Sequence, residues 1–213
     1  MSRSYRVIRL LLRIILLLLT RWQVKGKENI PRQGPLLVVA NHLHLVDPPL
    51  VGASLNRKAI FMAKEELFRP RLSSYIISSL GAFPVHRGQL DRKALRQAER
   101  VLAEGLALVM FPEGMRSRAG HLRPAFPGSA LVALHSSVPI LPMGITGTEQ
   151  IKGATWWLHR PQLTVNIGHP FRLPASNGKL TKTELTELTN LIMERIAELL
   201  PADYRGNYTG KEN

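Results

Sequence analysis

Short apolar runs closed by proline, glycine or polar residues recur along this chain, and stretches of helical period separate them. Leu36 to Ala40, Ala59 to Ala63, Ala107 to Met110 and Ile140 to Ile145 are apolar segments of strand length, the pattern of strands buried on both faces. Gly81 to Val85 reads as another short strand, and a further one is expected near Val24 to Glu28. Gln162 to Gly168 alternates Leu163, Val165 and Ile167, a period of two. Between them, Asp47-Pro48-Pro49-Leu50 reads as a helix start, with Asp47 as N-cap and Pro48 at the first helical position. Lys64 to Leu67 opens a helical, serine-rich stretch reaching Leu80. Leu90 to Glu104 has helical period, with Leu95, Ala98, Val101 and Leu102 on one side, and Gly128 to Ser136 is a further helix. Thr181 to Glu184 has capping-box spacing ahead of a long helix whose apolar face carries Leu185, Leu188, Leu191, Ile192, Ile196 and Leu199. Strands alternating with helices predict an α/β fold, a mixed and largely parallel sheet flanked by helices. No internal repeat or interdomain linker interrupts residues 24–203, which read as one domain. Residues 204–213 read as a polar tail.

Residues 1–23 differ from the rest. From Met1 to Lys27 there are seven basic residues and no acidic one, interleaved with leucine and isoleucine. Arg6, Arg9 and Arg13 follow helical spacing and leave a wide apolar face. The longest unbroken apolar run, Ile14 to Leu19, is six residues, against the roughly 20 that a spanning helix needs. Arg13 interrupts what would otherwise serve as a signal-peptide apolar region, and no small-residue cleavage site follows. The expectation is a helix lying in the plane of a membrane interface, with its arginines on anionic lipid phosphates and Trp22 at the water boundary. A helix covering the domain's own core, or a tilted helix with snorkelling arginines, would have the same period.

Composition narrows the partners. The 213 residues suit one α/β domain, and 45% hydrophobic content argues against disorder. There is no cysteine, which excludes disulfides, thiolate metal sites and a thiol nucleophile. The net charge of +14 calls for an acidic partner: nucleic acid, anionic lipid or an anionic small substrate. Aromatic residues are only 6% and no nucleic-acid motif or aromatic-interleaved basic stripe appears, so lipid and small anions are favoured over nucleic acid.

The candidate chemistry begins where the strand at 36–40 meets the helix from Asp47. Asn41, His42 and His44 lie on that strand-to-helix turn, at the rim of the sheet where α/β folds bind ligands. A His and an Asp five positions apart can meet there, the carboxylate of Asp47 holding one ring nitrogen of His42 and leaving the other free to take a proton from a hydroxyl. For an isolated pair, a histidine satisfied by backbone and an aspartate that only caps its helix is the simpler reading. Two more strands end in chemistry-bearing punctuation, Gly81 to Gly88 with His86 and Arg87, and Ala107 to Arg118 with Glu113, Gly114, Arg116 and Arg118. Val138 to Gly144 is a weaker third. All these ends can gather on one rim. His42, His44 and Asp47 are also competent zinc ligands, but Val46 and Asp47 stand where a metallo-β-lactamase-like pattern has Asp and His; no metal is expected. Gly-x-Ser-x-Gly is absent, so a serine-hydrolase elbow finds no support.

Asn41-His42 through Asp47, Gly81 through Arg87, Phe111-Pro112-Glu113-Gly114 and Val138 through Pro142 resemble, in order, the four motif blocks of the glycerolipid acyltransferase family, which includes 1-acylglycerol-3-phosphate acyltransferases. The resemblance spans residues 35–147. Two positions depart from it: His44 where the family often has Ser, and Val85-His86-Arg87 where it often has Ile-Asp-Arg. The resemblance implies transfer of an acyl group from a thioester, acyl-CoA or acyl-carrier protein, to a glycerol hydroxyl, with no cofactor. His42 would be the base and Asp47 its orienting carboxylate. Arg87, then Arg116 and Arg118, with Lys64 as a further candidate, would bind the acceptor phosphate. Glu113 would hold the acceptor hydroxyl or orient an arginine, and Gly114 would let backbone approach the substrate closely. Lysophosphatidate is the expected acceptor because the apolar N-terminus favours a lipid already in the bilayer; glycerol-3-phosphate or another lysophospholipid is the alternative. The expected location is the cytoplasmic face of the cell membrane, as a monotopic protein. A His-Asp hydrolase and a non-enzymatic binder of anionic membrane or nucleic acid are the competing functions.

Overall fold

A computed structural model describes residues 3–79, 81–86, 91–174 and 180–208. Seven strands form one sheet: β1 (Arg21–Lys25), β2 (Leu36–Ala40), β3 (Ala59–Lys64), β4 (Ala82–Val85), β5 (Ala107–Met110), β6 (Ile140–Thr146) and β7 (Gln162–Ile167). Their order across the sheet is β1-β7-β6-β2-β5-β3-β4. β6, β2, β5, β3 and β4 are parallel, so their carboxyl ends share one rim. β7 is antiparallel to β6, and β1 pairs with β7 in parallel. This is the expected mixed, largely parallel sheet.

The central strands are apolar at every position because both faces are covered. Leu36, Val38 and Ala40 face the core that also holds Leu16 of α1 (Arg3–Leu19) and Leu50, Val51 and Ala53 of α2 (Asp47–Ser54). Leu37 and Val39 face the opposite core, beneath α4 (Arg92–Ala103), α5 (Gly128–Ser136) and α6 (Lys182–Ala197). The capping box at Thr181 forms as expected: its hydroxyl accepts from the Glu184 N–H, and the Glu184 carboxylate accepts from the Thr181 N–H.

Several boundaries differ from the sequence reading. β1 starts at Arg21, and Lys27–Asn29 is a 3-10 turn, because Gly26 takes a left-handed φ of 72° and ends the strand. The helical stretch from Lys64 is broken into a 3-10 turn over Glu65–Phe68 and α3 over Arg71–Ser79, with Pro70 at the break; Leu80 lies outside the described residues. The described part of the expected polar tail, residues 204–208, is tied to the domain. Tyr204 and Tyr208 pack against the second core, and the Tyr204 hydroxyl donates to Glu149 Oε1 at 2.8 Å. Burial, then that contact, push the Tyr204 pKa up to about 12.

α1 is amphipathic, and it turns its apolar face away from the domain. Tyr5 and Leu16 are buried against the domain, and Arg13 Nε donates to the Ala53 carbonyl at 2.9 Å. Val7, Leu10, Leu11, Ile14, Ile15, Leu17 and Leu18 point outward, each 44–67% exposed. Arg9 and Arg13 therefore face protein rather than lipid phosphates. Trp22 is half-buried in β1, against the first core. Among the described residues no helix is long and apolar enough to cross a membrane.

Candidate active site

The site is built where β2 leaves the sheet. Asn41 follows the last strand residue, and its side chain extends the ladder to β6: Nδ2 donates to the Ile145 carbonyl at 2.8 Å and Oδ1 accepts from the Ile145 N–H at 2.7 Å. That pair of hydrogen bonds fixes the direction in which the chain turns towards His42. Nothing in the sequence reading singled out Asn41 for this role; a polar residue ending a buried strand is the signal that was there.

His42 and Asp47 meet as expected. His42 Nδ1 lies 2.8 Å from Asp47 Oδ2, with His42 3% exposed and Asp47 fully buried. Asp47 opens α2 as its first helical residue rather than as N-cap; Val46 holds the cap position and contributes no side-chain bond. The physical reason is that the carboxylate folds back over the turn instead of forward. Oδ2 accepts from the Leu43 N–H at 2.6 Å and the His44 N–H at 2.7 Å, and Oδ1 accepts from the Thr148 hydroxyl at 2.7 Å. Thr148 lies just beyond β6 and is fully buried. It is a second residue the sequence gave no reason to single out. Four donors to one carboxylate hold Asp47 as a fixed acceptor and commit His42 Nδ1 to it.

The other faces of the imidazole are set by the loop after β5. The Phe111 ring stacks on His42 with centroids 4.4 Å apart and planes 26° from parallel. The His42 carbonyl accepts from the Ser117 N–H at 2.7 Å. His42 Nε2 makes no hydrogen bond among the described residues, and His42 lines a cavity of about 280 Å3. Around that cavity stand Lys64 at the end of β3, Arg116, Arg9 from α1, and the apolar side chains of Leu12, Phe61 and Leu67.

Other expected site residues divide. Lys64 and Arg116 line the cavity beside His42, Lys64 also pairing with exposed Glu66 at 2.9 Å. Arg118 is exposed and lines neither this cavity nor the second one described below. Arg87 lies outside the described residues.

Glu113 departs most from its expected contact with the acceptor hydroxyl. It is 1% exposed, and its two oxygens accept from the His42 N–H at 2.8 Å and the Arg123 N–H at 3.0 Å. Both oxygens point at backbone, so the side chain braces the His42 turn from behind instead of reaching substrate. Burial pushes its carboxyl up to about 7, although both N–H bonds and the Arg123 charge pull the other way. Gly114 is likewise explained by packing. It adopts φ 67°, and a Cβ there would stand 2.8 Å from the Phe126 ring. His44 Nδ1 faces the Val46 N–H at 3.4 Å; burial lowers its pKa against the opposite pull of Asp47, and Arg116 adds to the lowering. Among the described residues no three His, Cys, Asp or Glu side chains are grouped to hold a metal ion. His86 bridges two carboxylates, Asp91 at 3.1 Å and Glu65.

A second cavity, about 330 Å3, lies across Phe111 and Met62 from the first, between the sheet rim, α4 and α5. Its wall is largely apolar, with Val85, Leu95, Met110 and Phe126.

A carboxylate-held imidazole whose second nitrogen opens into a cation-lined cavity at the carboxyl rim of a parallel sheet is an arrangement able to take a proton from a hydroxyl on an anionic substrate. The acyltransferase family model matches residues 21–146, which carry the site except for α1 and Thr148, and the chain belongs to this family. Among curated relatives, the 1-acyl-sn-glycerol-3-phosphate acyltransferase of Streptococcus pneumoniae is 32% identical over 73% of this chain and 60% of its own length. The enzyme of the same name from Bacillus subtilis is 26% identical over 88% of this chain and 92% of its own. The crystal structure of the 1-acyl-sn-glycerophosphate (LPA) acyltransferase from Thermotoga maritima superposes with a TM-score of 0.71 at 28% identity, covering 92% of this chain and 79% of that one.

Proposed function

We propose that this protein transfers a fatty acyl group from an acyl thioester to the free hydroxyl of 1-acylglycerol-3-phosphate, making phosphatidate at a membrane surface. The observation that carries the reading is His42, held by Asp47 through Nδ1 at 2.8 Å and open through Nε2 to a cavity walled by cations. The acceptor hydroxyl loses its proton to Nε2 as its oxygen attacks the thioester carbonyl. Asp47 stabilises the imidazolium that forms. Collapse of the tetrahedral intermediate expels the thiolate of the donor, coenzyme A or acyl-carrier protein, and the imidazolium returns the proton to it. No cofactor enters the cycle. Base assistance supplies roughly 10² to 10⁴ in rate, and holding the two reactants together supplies much of the remainder. Arg116 and Lys64 serve the acceptor phosphate, with Arg118, after β5 like Arg116, and Arg87 as further candidates. The apolar cavity across Phe111 offers room for an acyl chain.

The outward face of α1 supports a monotopic seat on anionic lipid at the cytoplasmic face. Fully burying one large aliphatic side chain gains about 1.5–3 kcal/mol, so seven that are about half exposed offer roughly 5–10 kcal/mol gross on entering lipid. Binding of that kind leaves a vesicle-bound fraction in high salt, whereas nucleic-acid binding through charge falls steeply with salt.

The test is acyl transfer from a thioester to lysophosphatidate in detergent micelles, comparing wild type with His42→Ala and Asp47→Asn. Phosphatidate from wild type, and a loss of orders of magnitude in both variants while they stay folded, is expected. Full transfer by His42→Ala overturns the mechanism. Release of free fatty acid without transfer favours hydrolysis, and glycerol-3-phosphate as the better acceptor reassigns the substrate.

A further inference from the structure

The catalytic cavity has a wall that lies outside residues 21–146. Tyr5, Arg9 and Leu12 of α1 line it together with Pro48, Pro49 and Gly52 of α2. On a helix, Tyr5, Arg9, Leu12, Arg13 and Leu16 share one face. Four of the five have evident structural work. Tyr5 and Leu16 are buried, Leu12 adds apolar wall, and Arg13 is bonded to the Ala53 carbonyl. Arg9 is the exception. It is half-buried, lines the cavity, and has no hydrogen bond or ion pair among the described residues. A guanidinium held at a cavity wall without an acceptor forgoes up to five donor contacts, an arrangement suited to an anion that arrives later.

The surrounding charge says which anion. Among the described residues the cavity wall carries Arg9, Lys64 and Arg116 and no carboxylate, and of the three only Lys64 has an acidic partner, which is exposed. Arg9 also lies close enough to Arg13 for its charge to help lower that residue's pKa, after burial. An anion beside Arg9 would relieve this repulsion. A small cavity with several cations fits a phosphomonoester, which carries close to two negative charges and three acceptor oxygens.

We propose that Arg9 is a phosphate ligand of the acceptor, supplied by the same helix whose opposite face enters the lipid. This rests on the acyl-transfer reading above. Both reactants carry phosphate. In 1-acylglycerol-3-phosphate only a methylene and an ester oxygen separate the reacting carbinol carbon from phosphorus, so a hydroxyl at His42 Nε2 keeps its phosphate inside the same cavity. The donor's nearest phosphate lies a whole pantetheine arm from the thioester. The acceptor is therefore the assigned source. α1 then has two jobs that face opposite ways, seating the enzyme on lipid and completing the phosphate site from the membrane side.

The experiment is steady-state transfer in detergent micelles with a short-chain lysophosphatidate, varying acceptor and donor separately, for wild type, Arg9→Ala, Arg9→Gln, Arg9→Lys and Arg6→Ala. Arg6 is exposed on the same helix and lines neither cavity, so it controls for loss of one charge. The expected result is an acceptor KM raised about tenfold or more in Arg9→Ala and Arg9→Gln, partly restored in Arg9→Lys, with donor KM within about twofold and Arg6→Ala like wild type. An unchanged acceptor KM overturns the assignment. So does a rise confined to donor KM, which would place the donor's phosphate there, or an equal effect in Arg6→Ala. Flotation with vesicles separates a loss of helix seating from a loss of phosphate binding, and equal flotation of wild type and Arg9→Gln is expected. If wild type transfers nothing, the acyl-transfer reading falls by itself. Calorimetric binding of the same short-chain lysophosphatidate then decides on Arg9: a tenfold weakening in Arg9→Gln supports its role, and equal binding, or none by wild type, ends it.

Discussion

Glu113→Gln and Glu113→Ala separate a brace from a substrate contact. The Glu113 carboxylate accepts from the backbone N–H groups of His42 and Arg123 and is 1% exposed. Alanine leaves both donors buried and unpaired, at about 1–3 kcal/mol each, so a loss of roughly 2–6 kcal/mol of stability is expected. His42 is anchored through one of those bonds, and a shift of about 1 Å in a catalytic group costs on the order of 100-fold in rate. The expected kinetic signature is a kcat reduced by about that factor with the acceptor KM nearly unchanged, because Glu113 lines neither cavity. An acceptor KM that rises while kcat holds would refute the brace and restore the substrate contact.

Glutamine adds a second readout through pH. Burial holds the Glu113 carboxyl at about 7, above its ordinary 4.5. A raised folded pKa means the folded protein binds the proton more tightly than the unfolded chain does. The stability it contributes is complete below pH 4.5 and is lost as pH rises through about 7. The difference corresponds to on the order of 3 kcal/mol. Glutamine does not ionise. In urea unfolding followed by tryptophan fluorescence, wild type should therefore lose stability relative to Glu113→Gln between pH 5 and pH 8. Parallel profiles, or a wild type that gains on the variant with rising pH, would refute the argument.

Three further substitutions test the frame around the pair. Thr148→Val removes the only hydroxyl donor to Asp47 Oδ1 among the described residues; a loss of about 1.5–3 kcal/mol with reduced kcat is expected, with Thr148→Ser close to wild type in both urea unfolding and transfer rate. Gly147→Ala should lower Tm far more than Gly34→Ala does, because both have positive φ but a Cβ at 147 stands 1.9 Å from the Gln162 carbonyl while one at 34 meets nothing within 4 Å; equal Tm losses would contradict this. Tyr204→Phe loses the bond to Glu149 and should cost about 0.5–1.5 kcal/mol in denaturant unfolding, whereas a chain that is only tail from 204 onward would show no change.

The sheet was legible because burial on both faces leaves only apolar residues, as at Leu36–Ala40 and Ala107–Met110. The His42–Asp47 contact was legible because five residues across a strand-to-helix turn leave few alternatives. Asn41 and Thr148 were not legible. Asn41 bonds to a residue more than a hundred positions away, and Thr148 reaches Asp47 across a comparable separation, so each role exists only once β2 and β6 lie side by side. Glu113 shows a different limit. Its motif announces a carboxylate at the site, but whether that carboxylate faces substrate or backbone depends on the path of the loop through Arg123.

The first helix carries this limit furthest. Its sequence has a cationic stripe and a wide apolar face, and the usual assignment puts the charges in water and the leucines inside. Period alone is symmetric under exchange of the two faces. What breaks the symmetry is the domain: α2 offers a free carbonyl at Ala53, and the catalytic cavity has room for a cation but no carboxylate to neutralise it. Turning the charges inward satisfies Arg13 and places Arg9 at the cavity, and it leaves an apolar face that water solvates poorly. That face and the inward arginines are therefore one choice of helix rotation, and a substitution that rotates the helix should disturb lipid seating and acceptor binding together.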